Sequence, residues 1–78
     1  MTWRDRIHSD PEILLGKPVI TGTRISVALI VELYERGWTE SMILESYPTL
    51  SADDLRAVFA YLGECLRHEL YFPLDTAA

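Results

Sequence analysis

Three hydroxyl residues in the last two thirds of the chain, Ser26, Thr39 and Ser51, each stand where a helix begins. A serine or threonine at such a position accepts a hydrogen bond from an otherwise unpaired N–H of the first turn. Stop signals follow each start. Gly37 is suited to the left-handed residue that closes a helix over 27–36. Pro48 ends a short helix that starts at Glu40 and runs to about residue 46. Pro73 ends the third, expected over about 52–70. Ser51 and Asp54 have the spacing of a capping box, with aspartate in place of the usual glutamate. Glu40 and the pair Asp53 and Asp54 lie in first turns, where the helix dipole favours carboxylates.

Apolar spacing agrees with the punctuation. Leu55, Val58, Phe59, Leu62, Cys65, Leu66 and Leu70 keep a three-and-four rhythm. Met42, Ile43 and Tyr47 are expected to face inward from the short helix. The first helix differs. Val27, Ala28, Leu29, Ile30, Val31, Leu33 and Tyr34 cover most of its surface, while Glu32, Glu35 and Arg36 share one narrow face. A helix that is apolar nearly all round is buried on more than one side. Part of this one is therefore expected to meet a second subunit.

The residues before Ser26 read differently. Residues 3–8 alternate loosely as a short strand. Asp10-Pro11 is a turn signal, and Ile13-Leu14-Leu15 is expected to form one helical turn ended by Gly16. Residues 18–20 and 24–25 are expected to pair around Thr21-Gly22-Thr23, a tight-turn sequence. Pro18, lacking an N–H, belongs at a strand start or an edge. The expected architecture is mainly α: a β-type arm or hairpin over 1–25, a three-helix bundle over 26–72 and a tail over 73–78, forming one domain. A short helix, a brief connection and a longer helix outline a helix-turn-helix.

A domain of 78 residues buries a thin core and commonly needs a supplement. Cys65 is the lone cysteine, so no internal disulfide forms, and it reads as a buried core thiol. His8 and His68 form no ligand-spaced set with it, so neither a metal nor another cofactor is expected. Oligomerisation remains, and a two-fold homodimer is expected. Trp3, Ile7, Val19, Ile20, Leu29, Ile30, Leu33 and Tyr34 are the interface candidates. The sequence has no apolar leader segment and its apolar runs are too short to span a bilayer, so a cytoplasmic location away from membranes is expected.

The net charge of −5 is uneven. Residues 1–25 sum to +1 and residues 26–78 to −6. An acidic body disfavours indiscriminate binding to nucleic acid, but a basic arm can still contact phosphates. Arg4, Arg6, Lys17 and Arg24 on the arm, with Arg56 on the third helix, are the DNA-contact candidates. Catalytic patterns are missing: there is no nucleophile elbow and no phosphate loop, and a non-enzymatic role is expected.

The run Asp10-Pro11-Glu12-Ile13, continued by Gly16-Lys17-Pro18-Val19-Ile20-Thr21-Gly22-Thr23-Arg24-Ile25, resembles the hallmark of a bacterial family of domains of unknown function, numbered 433. The hydrophobic helix ending at Gly37, the Tyr47-Pro48 junction and the acidic start Asp53-Asp54-Leu55 extend the likeness over roughly residues 5–70. The resemblance implies a homeodomain-like three-helix fold with an N-terminal arm. It also implies a VapB-type antitoxin role in a type II toxin–antitoxin system, with a PIN-like nuclease toxin as partner and operator DNA as a further ligand. A dimeric protein-interaction module without DNA binding is the second expectation.

Overall fold

A computed structural model of the chain describes residues 2–68. It is mainly helical, with three helices and a short two-stranded sheet near the N-terminus: β1 (Ile7–His8), β2 (Val19–Ile20), α1 (Val27–Glu35), α2 (Glu40–Ser46) and α3 (Ala52–Arg67). Expectations for Glu69, Leu70, Pro73 and the tail fall outside the described residues.

All three hydroxyl caps are made. Ser26 Oγ accepts from the Leu29 amide at 3.0 Å, Thr39 Oγ1 from Met42 at 3.2 Å and Ser51 Oγ from Asp54 at 3.2 Å. At the far end of α1, Gly37 has φ of 88°. Its amide donates to the Tyr34 carbonyl and the Trp38 amide donates to the Leu33 carbonyl, both at 3.0 Å. That pair of bonds is a Schellman closure, which satisfies carbonyls the helix itself leaves open.

The arm departs from its expected form in three places. Residues 3–5 form a 3-10 turn, not a strand, because Trp3 turns onto α3 with its ring 5.1 Å from that of Tyr61 in an edge-to-face contact. The ladder partner of β2 is then β1, antiparallel, with Ile7 opposite Ile20 and His8 opposite Val19. The return segment after Thr21-Gly22-Thr23 contributes only an isolated bridge between Val19 and Ser26. The turn itself is closed, with the Ile20 amide donating to the Ile25 carbonyl at 2.9 Å and Gly22 at φ of 83°.

The third departure is the segment 13–16. It is a 3-10 turn at Leu14–Gly16 with reversed handedness, Leu14 at φ of 49°, Leu15 at 58° and Gly16 at 85°. The Asp10 side chain takes the Glu12 amide at 2.9 Å and the Asp10 carbonyl takes that of Ile13, also at 2.9 Å. Those bonds close a turn at Asp10, and the chain must then swing into the extended Lys17 that Pro18 demands.

Ile7, Val19, Ile20, Val27, Ile30, Leu33, Ile43, Leu50, Leu55, Ala57 and Val58 form the core. It is shared by the sheet and all three helices, with α3 packed against α1, α2 and β1. Within the chain α1 buries one stripe, Val27, Ile30 and Leu33, flanked by the half-buried Leu29, Val31 and Tyr34, while Ala28 is exposed. Met42 and Phe59, expected to face inward, remain about half exposed. Cys65 is half-buried, not fully enclosed.

Candidate binding surface

The arm is tied to the start of α3 by one cation. Arg6 Nη1 lies 3.0 Å from Asp54 Oδ1 and Nη2 lies 3.7 Å from Asp53 Oδ2. Asp54 is the most enclosed of the three side chains, at 12% exposure against 34% for Arg6 and 52% for Asp53. Its other oxygen takes the Ser51 amide at 2.9 Å while its own amide donates to Ser51 Oγ. One carboxylate therefore caps the helix and anchors the arm. The Asp54 end of this pair is largely enclosed, and removing Arg6 leaves that carboxylate short of a partner.

Sequence spacing assigned Asp53 and Asp54 to capping and Arg6 to DNA contact. The structure keeps the first role and adds a second that spacing cannot display, because the pair is 48 positions apart. Arg6 accordingly points at α3. Arg4 is exposed and stacks over its own Trp3 ring at 4.4 Å. The other three candidates lie in different hollows. Lys17 borders one with Leu14, Leu15 and Ser26. Arg24 borders a second with His8, Ile13 and the Thr21–Thr23 turn. Arg56 borders a third with Tyr34, Glu40 and Phe59. These cations form no continuous stripe.

The interface candidates divide sharply. Ile7, Val19, Ile20, Ile30 and Leu33 do not reach the surface; they are the core of the chain itself, since a domain this small needs the main apolar stripe of α1 and the sheet residues to close it. Trp3, Leu29 and Tyr34 are half-buried against that core and keep part of their surface. The apolar surface left over comes mainly from residues that sequence reasoning assigned elsewhere. Leu15 is 95% exposed and Phe59 53%, with Leu14, Met42 and Leu66 also exposed. Phe59 stands edge-to-face with Tyr34 at 5.2 Å. The signal for Leu15 was available in the triad Gly16-Lys17-Pro18, which cannot continue a right-handed turn.

Among the described residues, three side chains have clearly shifted acidities. Burial, followed by the nearby Glu40 carboxylate, pushes the Tyr34 phenol up from its ordinary 10.0. Tyr61 is pushed up by burial and then by its hydrogen bond with Cys65. Glu64 is held below its ordinary value, first by Arg67 and then by His68, on the outer turn of α3. Among the described residues, no three His, Cys, Asp or Glu side chains are grouped as a metal site needs. Among the same residues no helix is long and apolar enough to cross a membrane. The arrangement offers contacts: two aromatic edges, an exposed leucine tip and separated charges of both signs.

The same outline recurs in known proteins. A crystal structure of a DUF433 member protein from Anabaena variabilis ATCC 29413 superposes with a TM-score of 0.76 at 29% identity, over 83% of this chain and 64% of that one. An uncharacterized protein, y4eO, of Sinorhizobium fredii strain NBRC 101917 / NGR234 is 34% identical over 58 residues. That alignment takes in 74% of this chain but only 26% of the length of y4eO. The chain thus corresponds to about a quarter of one relative and under two thirds of the other. The model of the family described as "protein of unknown function (DUF433)" matches residues 7–62, and on that match the chain belongs to the DUF433 family.

Proposed function

We propose that this chain is an antitoxin-like binding module of a type II toxin–antitoxin pair, homodimeric and homeodomain-like in the disposition of its helices, and that its principal partner is a PIN-like nuclease. The observation that carries the protein-binding half of this reading is the Arg6 anchor. It draws the one arm cation nearest α3 onto Asp53 and Asp54. The longer helix of a helix-turn-helix reads bases with residues near its N-terminus, usually through cations or amides. Here that turn presents carboxylates, and Asp53 keeps about half of its surface. Phosphates are repelled by such a start, whereas the cationic cleft of a nuclease is complementary to it. The uneven charge supports the same partner, with −6 over residues 26–78.

The anchor also favours a second reading, a dimeric interaction module that binds no DNA. Operator binding falls to exposed arm cations, Arg4 and Arg24 first. Co-expression with the protein encoded beside it tests the main reading. A co-purifying complex and relief of growth arrest are expected. Absence of both overturns it. A gel shift with the upstream DNA across a salt series separates the two readings: retardation with a steep salt dependence assigns operator binding to the exposed cations, and no retardation assigns the protein-only role.

A further inference from the structure

Leu14 and Leu15 are held out on a strained turn. Both have left-handed backbone, a conformation in which ordinary side chains are uncommon, and Leu15 is 95% exposed. Two charged residues flank them in the chain, Glu12 before and Lys17 after. A second feature matches this one. Tyr34, Leu55 and Phe59 line an open notch of about 220 Å³, bordered by Glu40 and Arg56. Among the described residues none of Glu12, Lys17, Glu40 and Arg56 takes part in an ion pair. The tip thus carries apolar groups between an anion and a cation, and the notch sets the rings of Tyr34 and Phe59 between a cation and an anion.

We propose that the leucine tip of each copy seats in the aromatic notch of a second copy, with Lys17 facing the partner's Glu40 and Glu12 facing the partner's Arg56. This inference rests on the dimeric state proposed above and names its surfaces. Placement supports the reciprocal form. The tip hollow includes Ser26, which caps the start of α1, and the notch includes Tyr34 near its end. Eight residues of helix separate those ends by about 12 Å. When two copies of α1 run antiparallel, the start of one lies beside the end of the other, so one two-fold operation can bring each tip to the partner's notch. The arrangement closes on itself and exposes no further copy of either surface. Charge acts in the same direction, since the arm sums to +1 and the body to −6.

Light scattering after size exclusion, on the full chain at micromolar concentration, tests the assignment. The wild type is expected at twice the chain mass. Leu15→Asn removes the apolar tip from a position outside the core, and it is expected to run as a monomer with an unchanged helical circular dichroism spectrum. Lys17→Glu and Glu40→Lys are each expected to weaken association by roughly tenfold or more. Combined in one chain, they are expected to restore it. A monomeric wild type overturns both the surfaces and the dimeric state. A dimer that Leu15→Asn and the single reversals leave intact overturns the surfaces alone. Failure of the double reversal to restore association also overturns this pairing. Variants that keep the wild-type mass but lose the nuclease overturn it too, and assign the tip to the nuclease.

Discussion

Arg6, placed on the arm by the sequence, is turned inward by the fold. With Nη1 3.0 Å from Asp54, it is the clasp that holds the arm against α3. Arg6→Ala leaves the Asp54 carboxylate largely enclosed with only its capping bond. It is expected to lower stability by about 1.5–3 kcal/mol, read as a lower urea midpoint at unchanged slope. Arg4→Ala, at an exposed site, is expected to shift the midpoint far less. The two phenols give a pH signature of their own. Tyr34 and Tyr61 are both raised in the fold, chiefly by burial, so folding favours the protonated ring. Their contribution is complete below the ordinary phenol value of 10.0 and is lost as pH climbs through the raised folded values. Stability is therefore expected to fall above about pH 10, followed by denaturation midpoints and phenolate absorbance across an alkaline series.

At the scale of elements, the helices and the arm follow different logic. Each helix is specified locally. Ser26, Thr39 and Ser51 make their caps, and Gly37 supplies the left-handed closure after α1. Gly37→Ala forces a Cβ into that conformation and is expected to cost about 1 kcal/mol, read as a lower thermal midpoint. The strained tip predicts the opposite sign. Leu15→Asn puts a residue tolerant of positive φ at a site where leucine is strained, and is expected to stabilise the monomer by about 0.5–1 kcal/mol in denaturant. This contrast explains what the sequence displays. Caps, breakers and helical rhythm act over three or four residues, so α1, α2 and the start of α3 are legible from spacing. The arm is set by contacts across the chain: Trp3 turns because Tyr61 lies beside it, and β2 pairs backward with Ile7 and His8. The binding surface was less legible for the same reason. Burial of Ile30 and Leu33, exposure of Leu15 and Phe59, and the inward turn of Arg6 all depend on which faces meet in three dimensions.

For the whole molecule, the small core and the divided charge lead to one account. Among the described residues eleven apolar side chains are buried, and a leucine tip and a notch beside Tyr34 and Phe59 still lie in solvent. Exposed apolar groups bordered by charge mark interaction surfaces. In the proposed role, the acidic start of α3 favours proteins with cationic clefts over duplex DNA. The most direct test of the proposed role is to titrate the purified chain into a PIN-like nuclease proposed as its partner while following RNA cleavage. The account predicts saturable inhibition at a fixed stoichiometry, weakened when Asp53 and its exposed acidic neighbours are reversed in charge. Cleavage that continues undiminished at every ratio, with no complex detectable on the same samples, would contradict it.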